Sequence, residues 1–477
     1  MIPLRRLSEM RASGDGIWFE HALDRLSALP RESDPRLRAF FSADSPIYIA
    51  RAPGRLDVMG GIADYSGACV LELPLACSTA ALVQRQDSGR CDIATRRGER
   101  WHCFGIDLPL GTPEQLGARF ASGDTDRWAS YILGVVQHCL TRAAPGGLRV
   151  LIDSTVPEGR GVASSAALEV AVGAAVAAAC GSAITPTDLA AACQAVENHV
   201  VGAPCGIMDQ MTSACGRRDR LLRLRCQPGT IEGYVDIPAG YRFYGIDSGF
   251  SHAVAGADYG TVRTAAFMGY RIIAAAAGLR ATRNGPRVRV DDRRWGGYLA
   301  NLTGPELAAL GALLPEEMTG AEFLARYDGT TDTATRVHAE RRYPVRQAAE
   351  HPVREHARVL RFAELLGALA TEPRAAVELG RLMYESHQSY GACGLGSDGT
   401  DRLVELVAAA GPERGLFGAK ITGGGSGGTV AVLATSEAEP LVRDVAARYR
   451  AETGRDTTVF TASGPGAAET GVLLIEP

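Results

Sequence analysis

Lysine is nearly missing from this 477-residue chain. Of its 50 basic residues, Lys420 is the single lysine, so any step that needs an amine has one candidate. Paired cysteines are missing too: eleven cysteines, an odd number, are scattered without a C-x-x-C spacing. That pattern predicts reduced, packed thiols in a cytoplasmic protein rather than a disulfide frame. Charge of one sign does not dominate, and a net charge of −4 excludes a nucleic-acid surface or a polybasic membrane patch. Long apolar runs are also wanting. The opening M-I-P-L-R-R-L-S-E-M-R holds no secretory signal core. The most membrane-like stretch, residues 166–183, contains Glu169 and is mostly alanine, which predicts a buried helix instead of a span. Nine histidines show no ligand spacing, and Pro352 is expected to spoil the helix that the H-P-V-R-E-H run would need to bind metal.

What is present reads as a mixed helix and strand chain in two coupled domains. Residues 1–42 form a helical, peripheral extension with Trp18, Phe19, Leu23 and Leu26 at helical spacing. Strands are expected from Ile47, over Val70 to Leu75, over Leu148 to Asp153 and over Tyr241 to Asp247. Thr187 is the expected N-cap of a helix reaching Val200. The domains divide near residue 240, giving spans 43–240 and 241–477, with a loop-rich insertion at 281–350. Helices are expected at 356–370 and 374–390. No internal repeat or low-complexity tract appears, and no feature specifies an oligomeric state.

Between one strand and one alanine-rich helix lies P-E-G-R-G-V-A-S-S-A-A, residues 157–167. Glycines let a backbone approach an anion, and the first free N–H groups of a helix point at it. Ser164 and Ser165 add hydroxyls that suit phosphate or magnesium. Without G-x-x-x-x-G-K-[ST], this is not a Walker loop. A second glycine run, Gly423 to Gly428, fits G-x-G-x-x-G but joins two expected strands, so it predicts a tight turn lining a ligand and not a dinucleotide fold. Glu197 lies near the end of one helix and Asp209 in the first turn of the next. Singly they read as a surface charge and a helix cap. Together they offer phosphoryl transfer one carboxylate for magnesium and one facing the attacking hydroxyl.

Three elements stand in order: A-P-G-R with D-Y-S-G, then P-E-G-R-G-V-A-S-S-A-A, then G-A-K-I-T-G-G-G-S-G-G-T. This arrangement resembles the GHMP kinase superfamily and its galactokinase branch, over roughly residues 46–470. Within the branch, D-V-M-G-G-I-A-D-Y-S-G and G-S-D-G-T-D-R-L-V are most similar to the kinase portion of plant L-arabinokinases. The resemblance implies an α+β, two-lobed GHMP kinase fold, with a ribosomal-S5-like N-terminal domain and a ferredoxin-like C-terminal one. It implies Arg55 and Asp209 as catalytic residues, with Asp209 serving either as base or as orienting group. It implies Gly61, Ile62, Asp64, Tyr259 and Gly424 at the sugar. Gly159, Gly161, Ala163, Ser164, Ser165 and Ala166 would cradle ATP, and Ser165 and Glu197 would hold Mg2+. Sugar and nucleotide are thus the implied partners.

Two positions depart from the branch. Where relatives often place a basic residue before the histidine of the Tyr259 segment, this chain has Ser251. Where galactokinases carry a glutamate for the exocyclic C6 hydroxyl, it has Gly61. L-Arabinopyranose is D-galactopyranose without the CH2OH group, so a retained glutamate would be buried without a partner, at a cost of roughly 1–3 kcal/mol. Ile62 is expected to narrow the space further, a weaker effect. The expected activity is phosphorylation of L-arabinose at its anomeric hydroxyl. A galactokinase with a rearranged C6 contact is the alternative, and a non-catalytic sugar sensor is disfavoured because Ser164, Ser165, Arg55 and Asp209 are all in place.

Overall fold

The apolar segment after the glycine-rich turn forms an 18-residue strand, and most of the first sheet is built around it. A computed structural model describes all residues except 99, 121–125, 141–145, 251–255 and 286, and omits the side chains of 11–13, 256, 257 and 284. In chain order the first sheet takes β1 (Leu4–Arg6), β2 (Ile47–Met59), β3 (Cys69–Gln86), β4 (Arg90–Arg97), β5 (Arg100–Asp107), β6 (Gly147–Ser154), β7 (Arg220–Arg225) and β8 (Thr230–Asp236). The second sheet begins with β9 (Tyr241–Asp247). Two small ladders follow, β10 (Ala281–Asn284) with β11 (Arg287–Val290), and β12 (Met318–Thr319) with β13 (Arg342–Tyr343). Then β14 (Leu416–Ile421), β15 (Thr429–Thr435) and β16 (Val459–Phe460) join β9 in the antiparallel order β14-β15-β9-β16.

The last strand, β17 (Val472–Ile475), returns to the first sheet. It lies parallel to β1 and antiparallel to β2, in the order β1-β17-β2-β3-β6-β4-β5. The two sheets therefore do not divide the chain at one point near residue 240. The reason is apolar: Leu473 is fully buried with Phe19, Leu37, Ile49 and Leu82 in the layer beneath the N-terminal helices.

Helices α1 (Ala129–Leu140), α2 (Ser164–Ala179), α3 (Pro186–Val196) and α4 (Met208–Cys215) pack together, with α2 lying on β2 and β3. Helix α2 is buried on nearly every side, which explains its lack of a polar face. None of the described helices is long and apolar enough to cross a membrane. In the second half, α5 (Gly256–Ala276), α6 (Val345–Ala368) and α7 (Ala375–Ala392) pack in series, and α7 and α8 (Asp398–Ala410) cover β14. Helix α9 (Glu439–Thr453) packs beside α8.

Three expectations change. Thr185, not Thr187, caps α3: its side chain accepts the Asp188 N–H, and Pro186 takes the first helical position, where it loses no bond. Pro352 does not break a helix, because α6 runs through it. Burial of Val345, Ala349, Val353, Val359 and Phe362 along that helix outweighs the roughly 3 kcal/mol a proline costs. The 281–350 span is less loop-rich than expected. It holds two ladders and two capped helices, Gly304–Gly311 and Gly320–Tyr327, each closed by a Thr/Glu capping box.

Candidate active site

Strand β2 delivers Arg55 and the first turn of α4 delivers Asp209. The Arg55 Nε and Nη2 lie 2.8 and 2.7 Å from Asp209 Oδ1, while Nη1 donates to the Gly161 carbonyl at 2.8 Å. On the neighbouring strand, Glu72 approaches Nε at 3.4 Å. Burial opposes the Arg55 charge, but the Asp209, Glu72 and Asp57 carboxylates outweigh it and hold the guanidinium protonated. Arg55 is 2% exposed and Asp209 is 22% exposed, so the carboxylate reaches solvent with the cation behind it. The N-cap position of this helix is Ile207, whose side chain cannot cap it, and the Asp209 carboxylate pairs with Arg55.

The loop between β6 and α2 bends through Gly159 at φ +69°, Gly161 at φ +71° and Ala163 at φ +59°. Ala163 offers no side-chain cap, so the opening N–H groups of α2 at Ser164, Ser165 and Ala166 face outward without one. The second glycine turn props this loop: Thr429 Oγ1 donates to the Arg160 carbonyl at 2.8 Å. That turn joins β14 to β15, as its reading as a strand connection required. Beside the loop between β6 and α2 is a cavity of about 480 Å³, lined by Thr79, Trp128, Tyr131, Ser154, Gly159 and Ser164 among others. Sequence reasoning missed its aromatic wall. The available signal was Trp128, one of only four tryptophans, placed just ahead of an apolar helix.

After α3 the chain widens into a π-type turn, Glu197–Val201, which turns Glu197 inward. Gln210 Nε2 donates to its Oε2 at 2.8 Å. Burial and then the Asp209 carboxylate push Glu197 up to about 7, against hydrogen bonds from Ser165, Cys205 and Gln210. Glu169 of α2 stands beside it and is raised well above the carboxylate range by burial and by Glu197. This is a hard-oxygen, acid-rich corner whose electrostatics a divalent cation would relieve, so the residues fit magnesium. No group of three or more His, Cys, Asp or Glu side chains is placed to hold a metal among the described residues. Magnesium carried on nucleotide phosphates requires only one or two carboxylates. His351 and His356 do not converge: the first pairs with Ser389 and the second accepts the Cys69 N–H.

The glycine-rich segment folds into a 3-10 turn, Gly61–Ser66. Asp64 is buried there, pushed up to about 7 by burial and Asp209 despite Arg263 and the N–H groups of Tyr65 and Met208. Its Oδ1 has no hydrogen-bond partner and is free to accept one. A Cβ at Gly206 would fall 1.6 Å from Asp64 Oδ2, so only glycine leaves the carboxylate its space. Tyr259 of α5 meets Tyr65 edge-on at 5.8 Å, and burial raises its hydroxyl well above the usual value. Arg263, one turn on, forms a two-bond fork with Asp332 at 2.9 and 2.8 Å. Gly424 lies between Gly423 and Gly425 in the second turn, partly exposed. Ser251 lies outside the described residues.

Two sequence expectations are revised at this turn. Ile62 does not narrow an open space with its side chain, which is 1% exposed and packed in a core with Tyr65, Val262 and Tyr390. Gly61 does not face a vacancy either, because the Tyr390 hydroxyl stands where its side chain would begin. Sequence reasoning also missed Asp57 and gave Lys420 no role. Both are fully buried, and the Lys420 ammonium lies 2.7 Å from Asp57 Oδ2. The lone lysine was itself the signal.

The description "GHMP kinases N terminal domain" matches residues 130–217, and "GHMP kinases C terminal" matches residues 364–451. An L-arabinokinase of Arabidopsis thaliana is 39% identical over 91% of this chain, which spans 47% of that protein, about half its length. A galactokinase of Chloroflexus aggregans is 32% identical, with 86% of this chain and 90% of that one covered. Among solved structures, the galactokinase of Lactococcus lactis complexed with galactose superposes with a TM-score of 0.72. It covers 93% of this chain and 99% of that one at 20% identity, a likeness of fold alone.

Proposed function

Because the chain belongs to the GHMP kinase family, in its galactokinase branch, we propose that it is a sugar 1-kinase. It transfers the terminal phosphoryl group of ATP to the anomeric hydroxyl of L-arabinose, giving L-arabinose 1-phosphate. The observation that carries this reading is the Arg55–Asp209 pair, held at 2.7 Å beside the phosphate loop with only its carboxylate reaching solvent. Asp209 accepts the hydrogen bond of the attacking hydroxyl. Arg55, permanently charged and anchored on the Gly161 carbonyl, stabilises the charge that develops on the transferred group.

Gly159, Gly161, Ala163 and the N–H groups of residues 164–166 hold the nucleotide phosphates, and the cavity beside Trp128 and Tyr131 receives the base. Ser165 and Glu197 hold magnesium, which neutralises charge on the phosphates when bound. Asp64, through its unpartnered Oδ1, accepts a ring hydroxyl, with Tyr259 alongside and Gly424 in the turn that closes over the reacting atoms. L-Arabinose is favoured over D-galactose because the sugar turn bears no side chain at Gly61, and because one relative 39% identical is an L-arabinokinase. Eleven cysteines without a disulfide among the described residues suit a cytoplasmic setting.

Release of ADP by the purified 477-residue chain with L-arabinose, D-galactose and D-galacturonate tests the reading. The expected order places L-arabinose first in kcat/KM. Galactose ahead of arabinose overturns the choice of sugar, and no turnover of any sugar overturns the kinase assignment.

A further inference from the structure

Position 61 is closed by a residue more than three hundred positions away. Gly61 has φ +45°, and a Cβ there would lie 1.5 Å from Tyr390 Oη, 2.8 Å from Tyr390 Cζ and 2.7 Å from Asp57 Oδ2. Those distances leave no room even for a methyl group. Tyr390 comes from α7, in the chain's second half, and is fully buried.

Its hydroxyl does not simply end in a core. The Ile62 N–H donates to it at 2.8 Å, and it donates to the Gly423 carbonyl at 3.0 Å. One hydroxyl thus joins the backbone of the sugar turn to the backbone of the second glycine turn. The ring is fixed as well, with the Lys420 ammonium 5.2 Å from its centroid and His351 edge-on at 5.3 Å. Lys420 and the Gly423 N–H both donate to Asp57 Oδ2, at 2.7 and 3.2 Å, and the Gly61 N–H donates to Asp57 Oδ1 at 3.1 Å. At the other end of this network, a Cβ on Gly423 would lie 3.0 Å from Arg55 Nη2. Tyr390 thus reaches the neighbourhood of Arg55 through Gly423.

We propose that Tyr390 is a positioning residue that locks in the sugar preference by enforcing glycine at 61: its ring and hydroxyl occupy the start of any side chain there and keep the sugar turn bare. A bare turn offers no polar side chain to a hydroxymethyl group on the sugar ring. A hexose entering the site leaves that hydroxyl without its bond, while a pentose has none to satisfy. This rests on the reading of residues 61–64 as the sugar turn. It changes what a switch of preference requires, because a new side chain at 61 is admitted only when residue 390 is made smaller.

The test uses full-length wild type, Gly61→Ala, Gly61→Glu, Tyr390→Phe, Tyr390→Leu and the two position-61 changes combined with Tyr390→Leu. Melting temperature reads the geometry without any sugar. Gly61→Ala and Gly61→Glu should each lower it by roughly 5 °C or more with Tyr390 present, and by much less when introduced alongside Tyr390→Leu. The ratio of kcat/KM for L-arabinose to that for D-galactose reads the preference. Gly61→Glu with Tyr390→Leu should move that ratio toward galactose by about 10–200-fold. Tyr390→Phe, which keeps the ring in place but loses both hydrogen bonds, should lower the melting temperature and leave the ratio within about twofold.

Gly61→Ala melting like wild type overturns the proposal, as does a double variant that retains the wild-type sugar ratio. If wild type turns over neither sugar, the sugar-kinase reading fails and the preference fails with it. The melting comparison then still decides whether Tyr390 holds the space, so the two failures are distinguishable.

Discussion

Asp64 is a buried carboxyl raised to about 7, and that has a measurable sign. In the unfolded chain an aspartate titrates near about 4. Below that pH both states keep the proton and burial of the carboxyl costs little. Between about 4 and 7 the unfolded chain releases a proton that the folded protein retains, so the Asp64 contribution falls by up to about 1.4 kcal/mol per pH unit. Above about 7 both states are ionised and the slope vanishes. Asp64→Asn should therefore gain stability relative to wild type as pH rises from 4 to 7, with the gap then constant. Urea unfolding of both proteins across that range decides it; a gap that shrinks with pH would contradict the assignment. Short local patterns single out that residue and Arg55, Asp209, Ser165 and Glu197 in the sequence, and the structure brings Arg55 against Asp209. They do not single out Asp57, Glu72 or Tyr390. Their environment is made by chain that is remote in sequence, as in the Asp57–Lys420 contact between β2 and β14.

Secondary structure was most legible where one pattern acted alone. The strand over Tyr241 to Asp247 matches β9 at both ends. Ends governed by local competition moved: Pro186 shifted the cap of α3 to Thr185, and the π-type turn at Glu197 has no counterpart in a 3.6-residue period. The 281–350 span was hardest to read because its elements are short and pack on remote chain, through a shared apolar core and a few buried polar contacts. One of these is specific. Asp332 fixes Arg263 on α5, whose guanidinium lies 5.6 Å from the centroid of Tyr65 in the Gly61–Ser66 turn. The insertion thus braces the turn through one buried ion pair. Asp332→Ala leaves Arg263 charged and unpaired in that setting and should cost about 3–5 kcal/mol of stability. It should also raise the sugar KM several-fold with a smaller change in kcat. Denaturant unfolding together with steady-state kinetics at saturating ATP measures both, and an unchanged KM would remove the insertion from the site.

Between the two sheets runs a second buried pair, Asp57 on β2 and Lys420 on β14, each fully enclosed. It ties the strand that carries Arg55 to the strand that leads into the second glycine turn. Lys420→Met strands a carboxylate and should destabilise the protein by about 3–5 kcal/mol, whereas Asp57→Asn with Lys420→Met should recover most of that loss. Urea unfolding of the two variants checks this; equal losses in both would make the lysine a packing residue only.

The return of β17 to the first sheet adds a temporal consequence. β1 touches that sheet only through β17, and roughly 400 residues separate β2 from β17. At about 5–20 residues per second, a ribosome needs some tens of seconds to cover that interval. Through it the N-terminal segment has no strand to pair with, and the edge of β2 stays open to other chains. The first sheet is thus completed only after the second has been made, although most of its strands precede it.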